Sequence, residues 1–356
     1  MITETSELPV RGKTRHYAAI AVFVFLSIVL LVAWRRYSSF RWDLFTEALR
    51  NLDWRWLTAG AALALLSYFG RAARWKVMML PTRSRLGSIF AATLIGFSAV
   101  VVFGRAGEVV RPILISREDR STLAGQAAVW VLERLFDLLL ILLLFGVGLA
   151  ESESFRVPSG SILLPVLRIG GGVVIVAAGA ACAILYLLAR HPATCGDQLL
   201  KALSFLPSAI FKRVERTLGS FLRGAECISR PGIMLSSLLL TAVEWAIVLA
   251  AVWCYFQAHP ALRGLGLLDV AMYVGFVSIG SIVQLPGIGG GVQIVSVVVL
   301  TELFHTPVEV ATGLSLLIWA GLALIVLPLG IPLALIRHLK VSEFRQELSI
   351  DAETRP

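Results

Sequence analysis

The sequence predicts an all-α polytopic membrane protein with about six spanning helices and two re-entrant helical hairpins. Composition is the first reason: 57% of the 356 residues are hydrophobic and only 15% are charged, whereas soluble domains carry about 25% charged residues. The second is that apolar residues fall in runs of about 20, long enough to cross a hydrocarbon core as helix. The third is a glycine-rich break beside two of those runs. Soluble enzymes and secreted domains are thereby excluded.

The apolar runs define the elements in chain order. A stretch at 38–56 has tryptophan and phenylalanine among charges, which is typical of an interfacial amphipathic segment, and 196–230 is a basic linker. One membrane domain, 17–338, is expected between an N-terminal segment, 1–16, and a polar tail, 339–356. The apolar segments are 17–34, 57–70, 86–104, 123–149, 162–189, 233–257, 268–285, 291–304 and 308–336.

Lysine and arginine counts predict the orientation. With a cytoplasmic N-terminus, 23 of these residues fall on the cytoplasmic side and 7 on the other, as the positive-inside rule requires. We therefore expect a multi-pass protein of the inner membrane with both termini in the cytoplasm. The net charge of +9 then reflects attraction to an anionic leaflet. Nucleic acid is not an expected partner, because no stacking motif or basic groove accompanies the charge.

The same counts require two segments to turn back. Basic loops flank both ends of 86–104, so this segment has to enter and leave on the cytoplasmic side, and 268–304 has to do so on the outer side. Broken helices at membrane depth occur where protein or a watery cavity satisfies the backbone, and two in opposite halves indicate an inverted repeat around a site. The glycine and proline residues expected to form these hairpins are Gly104, Gly107, Pro286, Gly287, Gly289, Gly290 and Gly291.

Three charges lie near the middle of segment 123–149: Glu133, Arg134 and Asp137. A charge at the bilayer centre costs about 3 kcal/mol on insertion scales, so it needs a reason. Glu133 and Asp137 share a helical face, and Arg134 is placed to pair with Asp137. Two interpretations stay open and are compatible: a buried ion-pair network that fixes packing, or the wall of a polar cavity that contacts a headgroup or relays protons.

Arginines beside the first glycine break favour phosphate or headgroup binding over the alternative of a plain positive-inside anchor. Arg105, Glu108 and Arg111 recur at a spacing of three, which would bring them together on a helix, and the planar guanidinium grips phosphate through two hydrogen bonds. Glu244, in the middle of 233–257, is a further candidate. Arg71 and Arg74 close the second apolar segment, and we expect both to be interfacial anchors.

The second glycine run permits two interpretations. Backbone N–H groups at the start of the following half-helix could accept an anion, or the glycines simply allow close helix packing; Gln293 flanks this run. Enzyme motifs are missing from the sequence, which has no GxSxG element and no Asp-rich pair. The four cysteines form no CxxC motif and the five histidines form no HExxH motif. We therefore expect neither a metal, a cofactor nor covalent catalysis.

Three sequence blocks carry a family resemblance. GRAGEVVRP (104–112), ERLFD (133–137) and LPGIGGGVQ (285–293) resemble the signature blocks of the lysylphosphatidylglycerol synthase transmembrane-region family. This region is the flippase-like membrane half of bacterial multiple peptide resistance factors and also occurs alone. The resemblance spans about 17–338 and implies a lipid-handling protein. Relatives usually carry a glutamate at the position of Gln293. If that glutamate carries a proton or binds a cationic headgroup in the relatives, the resemblance implies a different lipid for this chain.

The expected function is that of a flippase- or scramblase-like lipid translocase without covalent catalysis. The alternative is a non-transporting accessory subunit that binds a lipid intermediate for a partner transferase; an intramembrane enzyme is least favoured. Expected partners are anionic or lipid-linked membrane lipids and a separate lipid-modifying transferase, and the oligomeric state is left open. The residues expected to contact the headgroup are Arg105, Glu108, Arg111, Glu133, Arg134, Asp137, Glu244 and Gln293.

Overall fold

A computed structural model describes residues 40–151, 230–281, 284–285 and 289–337, with isolated positions between 169 and 215. This part of the chain is helical apart from one pair of two-residue strands. Two 3₁₀ segments join α3 to α4 and α9 to α10, and a π-helical turn extends α8 to Leu303. The elements are α1 Trp42–Arg50, α2 Trp54–Met78, α3 Leu86–Phe103, α4 Val110–Asp119, α5 Leu123–Glu151, α6 Pro231–Gln257, α7 Leu267–Gly280, β1 Gln284–Leu285, β2 Gly289–Gly290, α8 Gly291–Val298, α9 Val308–Ala323 and α10 Leu327–Ile336.

The described helices form an all-α membrane protein. Three stretches are long and apolar enough to cross a membrane, with mean hydropathies between 2.1 and 2.4: Leu86–Asp119, Gly232–Gln257 and Val308–Ile336. The predicted segment 17–34 lies outside the described residues, as do both terminal segments and most of 162–230. The number of spans therefore stays a prediction.

The first hairpin comprises α3, the 3₁₀ segment Gly104–Val109 and α4. Helix α3 is continuous over 18 residues, about 27 Å, so the prediction that 86–104 itself turns back is wrong. The chain reverses at Gly104, whose φ of 63° suits glycine, and α4 returns along α3. Any side chain at Gly107 would collide with the backbone of Ala99.

Both ends of this hairpin meet at its base. The Asp119 carboxylate accepts hydrogen bonds from the Thr82 hydroxyl (2.6 Å), the Ser84 hydroxyl (3.0 Å) and the Ser84 amide (3.2 Å). Entry and exit at one end, predicted from the flanking basic loops, are thus found for Leu86–Asp119. The sequence suggested that residues 105–111 belong to a basic loop at the base of the hairpin. In the structure they form its tip and the start of the returning arm.

The second hairpin comprises α7, the two short strands and α8 with its π turn. Its arms have 14 residues and 13 residues, about 20 Å each, which is shorter than a hydrocarbon core of about 30 Å. The hydroxyls of Tyr273 and Ser296 are hydrogen-bonded at 2.6 Å across the arms. Gly290 takes a φ of 93° where β2 leads into α8, and Pro286 and Gly287 lie outside the described residues.

The bases of the two hairpins lie at opposite ends of α5, and the hairpins point toward each other. The base of the first hairpin is joined directly to the start of α5. Near the other end of α5, Gly148 lies against the backbone of Leu268 and Met272 at the start of α7. The tips meet between the two ends, where the Arg105 guanidinium donates to the Ser281 carbonyl at 3.2 Å. The inverted repeat itself remains a prediction.

The remaining helices enclose the hairpins. Helices α2 and α6 pack antiparallel, with Trp56 against Trp253 at one end (ring centroids 5.3 Å apart). Helices α9 and α10 run from the base of the second hairpin to that of the first, where Arg337 pairs with Glu118 at 2.6 Å. The amphipathic stretch predicted at 38–56 contains α1, which packs on α9.

Cysteine labelling tests the re-entrant path of Leu86–Asp119. Arg85 and Arg117 are exposed at the two ends of the hairpin, so a membrane-impermeable thiol reagent should modify Arg85→Cys and Arg117→Cys from the same side. Asn51→Cys, at the opposite end of the fold, should react from the other side. The background is a chain whose four cysteines are replaced by serine or alanine. Reaction of positions 85 and 117 from different sides would mean that this segment simply crosses.

Candidate functional site

Helix α2 carries two arginines into the interior. It runs to Met78 rather than ending near residue 70, because Trp75 and Val77 continue the apolar run beyond Arg74. Arg74 is completely buried and the Arg71 side chain is 14% exposed. The expectation that these two arginines are interfacial anchors is therefore wrong.

Three carboxylates surround the Arg74 guanidinium. Its Nη1 is 2.6 Å from Asp137 Oδ1, and its Nη2 is 2.7 Å from Glu133 Oε1 and 3.2 Å from Glu244 Oε2. Nη1 also donates to the Thr241 hydroxyl at 2.9 Å. Since the acids come from α5 and α6, one cation ties three helices together. The predicted common face of Glu133 and Asp137 is confirmed.

Arg111 brings the first hairpin to the same place. Its Nη1 lies 3.0 Å from Glu133 Oε2, and its Nη2 donates to the Arg71 carbonyl at 3.1 Å. The guanidinium stacks over Trp75, 4.0 Å from the ring centroid, which adds a cation–π attraction. Gly96 on α3 permits this approach, because a Cβ there would lie 2.6 Å from Arg111 Cβ.

Further contacts complete the group. Arg71 Nη2 is 3.0 Å from Glu244 Oε1, and Arg134 Nη2 is 3.1 Å from Asp137 Oδ2, as its spacing predicted. The Arg134 side chain is 42% exposed, whereas Glu133 is fully buried. We call the seven ionisable side chains joined by these contacts, within the described part of the chain, the arginine–carboxylate cluster: Arg71, Arg74, Arg111, Glu133, Arg134, Asp137 and Glu244.

The cluster lies well inside the apolar helices. Arg111, Glu133 and Glu244 are 8, 10 and 13 residues from the helix ends nearest the base of the first hairpin. At 1.5 Å per residue these positions are about 12 to 20 Å inward, near the middle of a hydrocarbon core of about 30 Å. Ionised groups at that depth have to be paired or to face a polar path.

Other candidate residues lie elsewhere. Arg105 and Glu108 share a face of the 3₁₀ tip, 3.9 Å apart, with the Arg105 side chain 55% exposed. Arg111 turns away to Glu133 and Trp75, so the prediction that all three residues lie together is wrong. Gln293 is on α8 of the second hairpin, where its carbonyl accepts a hydrogen bond from Ser315 at 3.2 Å.

Sequence reasoning missed several cluster contacts. Arg74 could have been found from the apolar run that continues past it to Leu80. The Trp245 indole, which donates to Asp137 at 3.1 Å, carries no signal in the sequence that separates it from other buried tryptophans. Among the described residues, no group of three or more histidine, cysteine, aspartate or glutamate side chains is arranged to hold a metal ion.

Comparison with known proteins gives the family. The model of the lysylphosphatidylglycerol synthase TM region matches residues 18–347. The chain belongs to this family. Family membership connects the protein with membrane lipids. Two of the blocks that resemble the family's motifs contribute to the cluster: GRAGEVVRP supplies Arg111, and ERLFD supplies Glu133 and Asp137. No curated protein and no solved structure showed a significant match to the chain.

Removal of Arg74 tests the role of the cluster in stability. Arg74→Met leaves three buried carboxylates without their shared cation, and breaking a buried pair in this way costs about 3 to 5 kcal/mol. We therefore expect a much lower thermal unfolding midpoint in detergent, followed by tryptophan fluorescence. Arg134→Gln is the control, since its side chain is half exposed and exposed pairs contribute about 1 kcal/mol or less. Equal midpoints for the two variants would contradict the central position of Arg74.

Proposed function

We propose that this family member is a lipid translocase, flippase- or scramblase-like, that moves a phospholipid or lipid-linked headgroup between leaflets. The observation that carries the proposal is the arginine–carboxylate cluster, placed at membrane depth beside the returning arm of a re-entrant hairpin. An ion-pair network that only fixed helix packing would not need a residue from a re-entrant hairpin. Here Arg111, on the hairpin, is itself one of the paired groups.

The barrier to lipid exchange lies in the headgroup. Its charges lose hydration in the hydrocarbon core, whereas the acyl or isoprenoid tail can stay in lipid throughout. Arg111 and Arg134 would hold the phosphate, because a guanidinium donates two parallel hydrogen bonds to two oxygens. Glu133, Asp137 and Glu244 keep the arginines in place while the path is empty.

Arg111 gives a way to couple binding to movement. It links α4 with Glu133 on α5 and with the Arg71 carbonyl on α2. A phosphate that competes with Glu133 for Arg111 would loosen the first hairpin from α5. Release of the phosphate would restore the ion pair. In this proposal the hairpin moves in response to the headgroup, and no covalent step or nucleotide is needed.

The orientation belongs to the same proposal. Exposed basic side chains gather at the base of the first hairpin, on both of its ends and on the adjoining turns. The positive-inside rule favours the cytoplasm for this end of the fold, in the inner membrane. These residues are Arg83, Arg85, Arg117 and Arg120.

The alternative is an accessory subunit that binds a lipid intermediate and passes it to a partner transferase. One observation favours it: Arg74 and Glu133 are fully buried and their ion pairs close the interior of the cluster. A closed network suits static binding at the half-exposed Arg134 better than passage through the interior. A stable complex with a transferase, together with absence of transport by the purified protein, would support this reading.

Reconstitution tests translocation directly. Purified protein in liposomes should accelerate exchange of a fluorescent phospholipid between leaflets, measured by dithionite reduction of the outer-leaflet probe. Arg111→Ala should slow this exchange by about tenfold or more, because charge-assisted phosphate contacts are lost. Arg55→Gln is the matched control, since Arg55 is exposed near the far end of α2, remote from the cluster.

Two outcomes would count against the proposal. If the wild-type protein exchanges none of a panel of phospholipids and isoprenoid-linked lipids, the accessory reading replaces translocation. If Arg111→Ala exchanges lipid as fast as the wild type, the headgroup does not pass the cluster.

A further inference from the structure

The charges of the arginine–carboxylate cluster do not balance. Within the described residues it joins four arginines to three carboxylates. Arginine stays protonated in proteins, so the cluster carries at least one net positive charge. Protonation of any carboxylate would increase that excess.

The hydrogen bonds of the cluster are incomplete on both sides. Nε of Arg74 and Nε of Arg111 are buried N–H groups without an acceptor in the described part of the structure, and Asp137 Oδ2 and both carboxylate oxygens of Glu244 accept no hydrogen bond there. Leaving a buried donor or acceptor without a partner is unfavourable, because the group has lost its hydrogen bonds to water. Arg74 and Arg111 are both at most 4% exposed. The excess of one arginine over the carboxylates therefore favours a ligand that supplies anionic oxygen atoms, which would also be acceptors for the two Nε–H groups.

Access to the cluster is through Arg134. Its side chain is 42% exposed, while the other three arginine side chains are 14% exposed or less. Its named ion-pair contacts are Asp137 at 3.1 Å and Glu133 at 3.8 Å, and both of these acids also bind Arg74. Arg134 is thus the most exposed cation of the cluster, and it shares both of its acidic partners with Arg74.

We propose that the cluster selects lipids whose headgroup carries a net negative charge, a phosphodiester or phosphomonoester without a compensating amine, and that Arg134 is the residue that sets this preference. The inference rests on the proposed function and names its cargo class. Lipids with a cationic, aminoacylated headgroup are disfavoured.

An amine would have to displace an arginine from a carboxylate. Glu244 lies 3.0 Å from Arg71 and 3.2 Å from Arg74, so its charge is ion-paired although its oxygens accept no hydrogen bond. An ammonium that recruited Glu244 would leave a further arginine without its counter-ion in the same interior. A cationic headgroup therefore adds to the excess positive charge, whereas one anionic phosphate cancels it.

Competitive lipid binding tests the selection without relying on transport. The purified protein would be mixed in detergent with equal amounts of phosphatidylglycerol, phosphatidylcholine and lysyl-phosphatidylglycerol, and the bound lipid identified by native mass spectrometry. The wild type should bind the anionic lipid at least about tenfold better than the other two, as expected for a charge-assisted contact. Arg55→Gln, which removes the same charge outside the cluster, should behave like the wild type.

Two variants neutralise the cluster by different routes. Arg134→Gln removes one of the four cations, and Thr241→Asp adds a carboxylate beside Arg74 Nη1, which lies 2.9 Å from the Thr241 hydroxyl. Either variant, if it folds, should bind phosphatidylglycerol no more than about threefold better than the other two lipids. Arg134→Lys keeps the charge and should keep the preference.

The outcomes separate this inference from translocation. Equal binding of the three lipids by the wild type, or a preference for the cationic lipid, would overturn it, as would a preference that survives in the neutralised variant. Anion-selective binding without exchange in liposomes would leave the selection standing and remove translocation. Exchange of lipids at equal rates whatever their headgroup charge would support translocation and overturn the selection.

Discussion

Arg74, buried among three carboxylates, holds three of the described helices in fixed positions relative to one another. A guanidinium in hydrocarbon is costly alone, so α2, α5 and α6 have to stay where Glu133, Asp137 and Glu244 reach it. Glu133 also binds Arg111. The first hairpin is thereby joined to the same network, and movement of α4 changes an ion pair rather than an apolar contact alone.

Close backbone approach makes this arrangement possible. Gly107 lets the tip of the first hairpin lie on Ala99, and Gly96 makes room for Arg111. In the second hairpin, Gly280 faces the backbone of Gly291. The structural and functional interpretations of the buried charges are therefore compatible: the ion pairs that fix packing are the groups that a phosphate would have to engage.

Much of this was predictable from sequence, for identifiable reasons. The pairing of Arg134 with Asp137 follows from helical spacing, and the need for two hairpins follows from basic loops that flank apolar segments. Arg74 was misassigned because a cation near the end of an apolar run satisfies the positive-inside rule as well as a buried ion pair does. Its acidic partners lie 59 and more residues away in the chain, and a single sequence does not reveal such contacts. Arg105 lies in the 3₁₀ segment Gly104–Val109 and Arg111 in α4, and spacing alone does not specify where one helix type changes to the other.

The proposed translocation requires that a lipid headgroup enter the arginine–carboxylate cluster. Photo-crosslinking from a phospholipid with a diazirine on its headgroup, followed by peptide mapping of the reconstituted protein, shows whether it does. We expect adducts on α2 around Arg71, on α4 around Arg111 and on α5 around Arg134. Adducts confined to the exposed residues of α1 and of the turns at the base of the first hairpin would contradict it.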